Sequence, residues 1–120
     1  MIQGIIGMVE TAIIENSVNR LLEYLNAEKL PVSKLVLFGS YAKGNFSDDS
    51  DIDFIVVSKT FRDMNFIERI DKTMYIDSKM IKEFLKPFDI LYYSDIEWDN
   101  SSSIPINEAK KYGRILFNSN

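Results

Sequence analysis

Residues 39–57 read GSYAKGNFSDDSDIDFIVV. The stretch ends in an apolar, β-branched run, Ile52 to Val57, which has the composition of a buried strand. Asp51 and Asp53 stand two apart at its mouth. Side chains alternate across a strand, so both carboxylates fall on one face, with Ile52 and Phe54 on the other. Two carboxylates so close repel, and one takes up a proton unless a cation lies between them. Upstream, Lys34 to Phe38 (KLVLF) is a second short apolar run, closed by Gly39-Ser40. Glycine allows a phosphate to approach the backbone closely, and Ser40 starts a turn whose N–H groups can donate to it. Lys43 adds a point charge. Oxygen-only ligands suit Mg²⁺, which binds one or two carboxylates together with substrate phosphates. The combination fits phosphoryl or nucleotidyl transfer.

Outward from this stretch, the rest of the chain resolves into alternating elements. From about Met8 to Glu28, Ile14, Val18, Leu21, Leu22 and Leu25 recur at three- and four-residue steps, which predicts an amphipathic helix, and Pro31 follows its end. Between Asn65 and Lys86 the spacing of Ile67, Ile70, Met74, Met80, Ile81, Phe84 and Leu85 predicts a second helix, with a break near Tyr75-Ile76 left open and Pro87 as its stop. Phe88 to Tyr93 (FDILYY) is a third strand. Ser94 and Glu97 have capping-box spacing and open a short helix. Asp99 to Ser103 is a polar loop. Pro105 to Tyr112 is a last helix with Gly113 at its C′ position, and Arg114 to Phe117 a closing strand. The order helix, strand, strand, helix, strand, helix, strand predicts an α/β (α+β) fold: a mixed sheet of about three to four strands flanked by helices. Residues 1–120 are read as a single domain.

That order brings in a third carboxylate. Asp89 lies one residue into the third strand, much as Asp51 and Asp53 lie at the start of the second. A helix between two strands normally makes a crossover that leaves them parallel. If the two strands are neighbours, Asp89 meets the pair, and three converging carboxylates can serve two metal ions.

Other readings of the same residues are weaker. Asp48 to Asp51 is also an ordinary polar turn before a strand. Asp49, Asp51 and Asp53 imitate the first positions of a calcium-binding EF-hand loop, but that loop needs glycine and glutamate where Phe54 and Thr60 stand. Gly39 and Gly44 have the glycine spacing of a Walker A loop, but Asn45-Phe46 replaces the required Lys-Ser/Thr.

Composition narrows the chemistry further. The chain has neither cysteine nor histidine. A disulfide framework is excluded, a Ser-His hydrolase or a zinc enzyme is disfavoured, and proton transfer must use carboxylates, lysines, hydroxyls or water. The net charge of −4 argues against extended nucleic-acid binding, which depends on neutralising phosphates. No run approaches the ~20 apolar residues needed to cross a bilayer, and the N-terminus lacks the positive start of a signal peptide. The expectation is a cytoplasmic protein with no membrane contact.

Gly39-Ser40, ten residues, then Asp51-Ile52-Asp53 resembles the GS-x10-DxD signature of the DNA polymerase β-like nucleotidyltransferase superfamily. The wording SYAKG and SDIDF, and the later FDILYYSDIEW and EAKKYGRILF segments, resemble its minimal nucleotidyltransferase branch. The resemblance implies that Gly39 and Ser40 bind nucleotide phosphate, that Asp51 and Asp53 hold Mg²⁺, and that Asp89 is the third, more variable carboxylate. Lys43 stands where the family often has arginine. The resemblance also implies two Mg²⁺ ions, ATP as substrate, and a role as antitoxin to a HEPN-domain ribonuclease toxin, silenced by transfer of AMP to one of its tyrosines. The oligomer, homomeric or heteromeric, is left open. Two alternatives compete: a non-catalytic binding module that neutralises a partner ribonuclease by contact, and nucleotidyl transfer to a small molecule. The short chain leaves little room for the added substrate domain that the latter implies.

The remaining conspicuous residues read as structural. Trp98 is expected in the core or an interface, Tyr92 and Tyr93 in strand packing, and Lys110, Lys111 and Arg114 at a solvated basic helix end. The apolar N-terminal side chains Ile2, Ile5, Ile6, Met8 and Val9 fit a buried cap and a partner-binding patch equally well.

Overall fold

The apolar runs read as strands pair into one four-stranded sheet, and the helical segments cover both of its faces. A computed structural model describes residues 2–119, with side chains from Glu10 onward. The N-terminal apolar side chains, for which a cap and a partner patch were both open, lie outside the described residues. The elements are α1 (Ile2–Ala27), β1 (Lys34–Phe38), α2 (Gly39–Lys43), β2 (Ile52–Val57), a 3-10 turn (Lys59–Asp63), α3 (Phe66–Phe84), β3 (Phe88–Tyr93), α4 (Asp95–Asn100), α5 (Ile104–Tyr112) and β4 (Arg114–Asn118). The strand order is β3-β2-β1-β4. Strand β1 runs antiparallel to β2 and to β4, whereas β2 and β3 are parallel, as the crossover through α3 requires.

Strand alternation divides the core in two. Leu35 and Leu37 of β1, Ile52, Phe54 and Val56 of β2, and Ile90 of β3 face α1 and α3 and pack with Leu21, Leu25, Ile76 and Met80. Val36, Phe38, Ile55 and Val57 face the other way, against Trp98, Ile106 and Ala109 of α4 and α5. Trp98 is thus a core residue. Tyr92 packs against the first cluster and Tyr93 against the second.

The helix ends follow local chemistry. Asn65 and Glu68 form a reciprocal capping box at the start of α3, and Ser94 with Glu97 forms the expected one at α4. Arg69 knits this region together. Its guanidinium donates to the carbonyls of Phe61, Met64 and Tyr92 and to the Glu97 carboxylate, so α3, the 3-10 turn, β3 and α4 share one hub. Across the molecule, Arg20 donates to both oxygens of Glu83, at 2.8 and 2.9 Å, and links α1 to α3.

The structure closes the open question of a break in the second long helix and corrects which of its faces is buried. Helix α3 is continuous through Tyr75-Ile76, and most of the stripe that predicted it faces solvent. Its buried residues are Thr73, Ile76 and Met80, while Ile67, Ile70, Met74, Ile81 and Leu85 are exposed. Thr73 reaches the core side because its hydroxyl donates to the Arg69 carbonyl one turn back and so needs no other partner. Gly113 ends α5, as its spacing predicts, and does so without a left-handed conformation, since its φ is −76°. Close approach accounts for the glycine instead: a Cβ there would lie 2.4 Å from the Ala109 carbonyl oxygen and 2.9 Å from that of Leu37. The C-terminal end of α5 therefore sits directly against β1.

Candidate active site

Gly39, Ser40, Asp51, Asp53 and Asp89 lie where β1, β2 and β3 meet at one end of the sheet, and Lys43 does not join them. Asp53 is the second residue of β2. It pairs with Phe38, the last residue of β1, on one side, and with Asp89 of β3 on the other. Parallel register puts the Asp53 and Asp89 side chains on the same face, the one covered by α4 and α5. Asp51 precedes β2 by one residue and is exposed.

Gly39 closes the site from the β1 side. Its φ is +70°, a left-handed conformation that glycine adopts without strain. A Cβ at this position would lie 2.0 Å from Asp53 Oδ2. The glycine of the GS pair is thus the backbone surface against which the second aspartate of the DxD pair rests. The two halves of the motif are one contact. Ser40 follows in α2, a single helical turn that the sequence reading treated only as a turn. The backbone N–H groups of such a first turn have no intrahelical acceptor.

The electrostatics follow from this crowding. Burial pushes the Asp53 carboxyl up to about 6, and the negative charges of Asp89 and Asp51 push it the same way. Asp77 of α3, which accepts a 2.7 Å hydrogen bond from the Tyr92 hydroxyl, is also raised, first by burial. The Tyr92 hydrogen bond opposes that shift and Asp89 adds to it. No described cation is paired with Asp51, Asp53 or Asp89 in a salt bridge. Among the described residues, no group of three ligating side chains is drawn tightly enough to enclose a metal ion by protein alone. The chain supplies adjacent oxygen ligands and excess negative charge, a donor set that fits Mg²⁺ with phosphate or water completing its shell.

Lys43 is held elsewhere. It forms an ion pair with Glu108 of α5, and its ammonium lies 4.8 Å from the centre of the Tyr112 ring. The Glu108 hydrogen bond is the main cause of its raised pKa. Sequence spacing gave no signal for Glu108 or Tyr112, because the contact depends on how α5 docks beside α2. A separate groove of ≈ 300 Å³ between α3 and β3, lined by Phe66, Ile70, Asp77 and Tyr92 among others, contains none of the sequence-predicted site residues.

A glycine turn at the end of one strand is backed against carboxylates of the next two. Residues 18–112 match the family model described as the nucleotidyltransferase domain, and the chain belongs to that family. It is a nucleotidyltransferase. Among curated proteins it is 24% identical over 106 residues to "Putative protein adenylyltransferase MJ0604" of Methanocaldococcus jannaschii, covering 85% of this chain and 99% of that one. Among solved structures it resembles a toxin-antitoxin with AMP-PNP (TM-score 0.59, 21% identity, 84% of this chain and 73% of that chain). It also resembles a tri-AMPylated Shewanella oneidensis HEPN toxin in complex with MNT antitoxin (TM-score 0.56, 18% identity, 88% and 72%). At these identities the structural likeness establishes the fold. Among the described residues, no helix is long and apolar enough to cross a membrane.

Proposed function

We propose that residues 1–120 act as one minimal nucleotidyltransferase domain, a cytoplasmic antitoxin that moves AMP from ATP to a tyrosine hydroxyl of a HEPN-domain toxin. The observation that carries this reading is the packing of Asp53 between Gly39 and Asp89. It joins a phosphate-approach turn to a carboxylate cluster that is short of positive charge. The curated relative named as a protein adenylyltransferase supports a protein acceptor. So do the exposed apolar side chains at the two ends of α3, Phe66 at 74% and the capping Leu85 at 86% exposure, since large apolar groups in open solvent suit a partner surface.

In this reading the Gly39-Ser40 turn donates backbone N–H groups to the phosphates and fixes the α-phosphorus before the carboxylates. Asp51 and Asp53, with Asp89 beside them, would hold Mg²⁺. When bound, the ion supplies charge neutralisation between the carboxylates and the triphosphate. The acceptor tyrosine oxygen forms a new bond to the α-phosphorus, the bond to the β-phosphate oxygen breaks, and pyrophosphate leaves. The phenolic proton passes to a site carboxylate or to water, because the chain has no histidine.

The test is to incubate the purified protein with each labelled nucleoside triphosphate, Mg²⁺ and the product of its neighbouring gene. The reading expects label from ATP on a tyrosine of that partner. A partner silenced without any transferred label would instead make the chain a binding module, and label on small molecules only would make it a small-molecule transferase.

A further inference from the structure

The C-terminal end of α5 flanks the phosphate turn. Gly113 abuts the Leu37 carbonyl two residues before Gly39, and Lys43, at the end of the turn that Ser40 opens, reaches across to Glu108. Beyond that ion pair, Lys111 places its ammonium 5.2 Å from the centre of the same Tyr112 ring that Lys43 approaches from 4.8 Å. Ala42, Lys43, Lys111 and Tyr112 line one open concavity of ≈ 600 Å³. Two ammonium groups share one aromatic ring there, and Glu108 is paired with the first of them, Lys43. Two lysines and one glutamate meet there, on a chain whose net charge is −4, and Lys43 ends the same short helical turn whose first residue, Gly39, backs Asp53.

We propose that Lys111 and Lys43 together form the subsite for the outer phosphates of the nucleoside triphosphate, and that Glu108 is the counter-ion those phosphates displace from Lys43. The inference rests on the reading of the site as one for a nucleoside triphosphate. Before the nucleotide arrives, Glu108 and Tyr112 of α5 hold the Lys43 ammonium in place, so its side chain is already ordered. An incoming polyphosphate offers more charge than one carboxylate. It therefore takes over Lys43 and recruits Lys111, whose ammonium has only the ring face as a described neighbour. Lys110, one residue earlier, is different. It lies over Trp98, 5.3 Å from the ring centre, and takes no part in lining the concavity. The competing account makes all these lysines simple complements to the α5 helix dipole. In that case their removal would affect stability and be indifferent to the number of phosphates on a ligand.

The experiment is calorimetric titration of the full chain with ATP and with AMP in Mg²⁺ buffer, for wild type, Lys111→Ala, Lys110→Ala and Glu108→Gln. Lys111→Ala should weaken ATP about tenfold, the effect of one charge-assisted phosphate contact, and leave AMP unchanged. Glu108→Gln should tighten ATP, because its competitor for Lys43 loses its charge, and Lys110→Ala should bind like wild type. If Lys111→Ala folds poorly, Lys111→Met, which keeps an unbranched stem against Tyr112, repeats the test. ATP affinity unchanged in the Lys111 variant, or ATP and AMP weakened alike, would overturn the proposal while leaving the nucleotidyltransferase site intact. Wild-type protein that binds no ATP would remove the underlying reading and the proposal with it.

Discussion

Replacing Asp53 with asparagine should stabilise the metal-free protein at neutral pH while abolishing transfer. The carboxyl is half-buried against Gly39, with Asp89 its register partner and Asp51 nearby, and it is pushed from the ordinary carboxylate range up to about 6. A carboxyl whose folded pKa exceeds its unfolded one binds more protons in the folded state between the two values. Folding stability therefore falls as pH rises through that window, from about 4 to about 6, and the penalty is complete at pH 7. The full displacement corresponds to roughly 3 kcal/mol. Asp53 is open enough to water for screening to reduce this, and we expect a net gain of ~1 kcal/mol for Asp53→Asn. The gain should vanish below about pH 4, where the wild-type carboxyl is protonated in both states. Urea melts of both proteins in EDTA, at pH 7 and at acid pH, measure it. An Asp53→Asn protein less stable than wild type at pH 7 would mean that the carboxylate accepts hydrogen bonds the fold depends on, and the argument from crowded charge would fail.

Two further outcomes follow from the same contacts. Gly39→Ala should cost at least ~1–2 kcal/mol from the left-handed backbone alone, and more from the Cβ that would overlap Asp53 Oδ2. Adding Asp53→Ala to it should recover part of the stability and none of the activity, which a double-mutant cycle of thermal melts with a transfer assay checks; strict additivity would deny the contact. Nucleotide binding should be weak in EDTA and rise clearly with Mg²⁺, because triphosphate and carboxylates are both anionic. Equal ATP affinity by calorimetry with and without Mg²⁺ would remove the metal from the mechanism.

The strands were legible because each is a short apolar run bounded by glycine, proline or a charge pair, and the parallel pairing of β2 with β3 follows from a helix lying between them. The neighbourhood of Asp53 and Asp89 was legible for the same reason, since register between parallel strands carries position in one onto position in the next. Helix α3 exposes the limit of periodicity. Two apolar stripes run along it, and the one with more large residues faces solvent, because Thr73, with its hydroxyl satisfied by its own helix, can sit on the core side. The 3-10 turn at Lys59–Asp63 left no apolar pattern at all. It is held by the Ser58 hydroxyl, which accepts from the Thr60 N–H, and by Arg69 from α3. The α5 flank of the site was invisible for a related reason. Lys43, Glu108 and Tyr112 meet only because Gly113 lets α5 close onto β1, and no local signal in either segment announces the other.

The central claim is that Asp51 and Asp53 serve transfer of a nucleotidyl group, and the position of a radiolabel tests it most directly. The protein and the product of its neighbouring gene should be incubated with Mg²⁺ and ATP labelled on the α-phosphate, and in parallel with ATP labelled on the γ-phosphate. Attack at the α-phosphorus predicts protein-bound label from the first and none from the second, with all label lost in the Asp51→Asn, Asp53→Asn double variant. Label arriving from the γ-phosphate, or full labelling by the double variant, would contradict it.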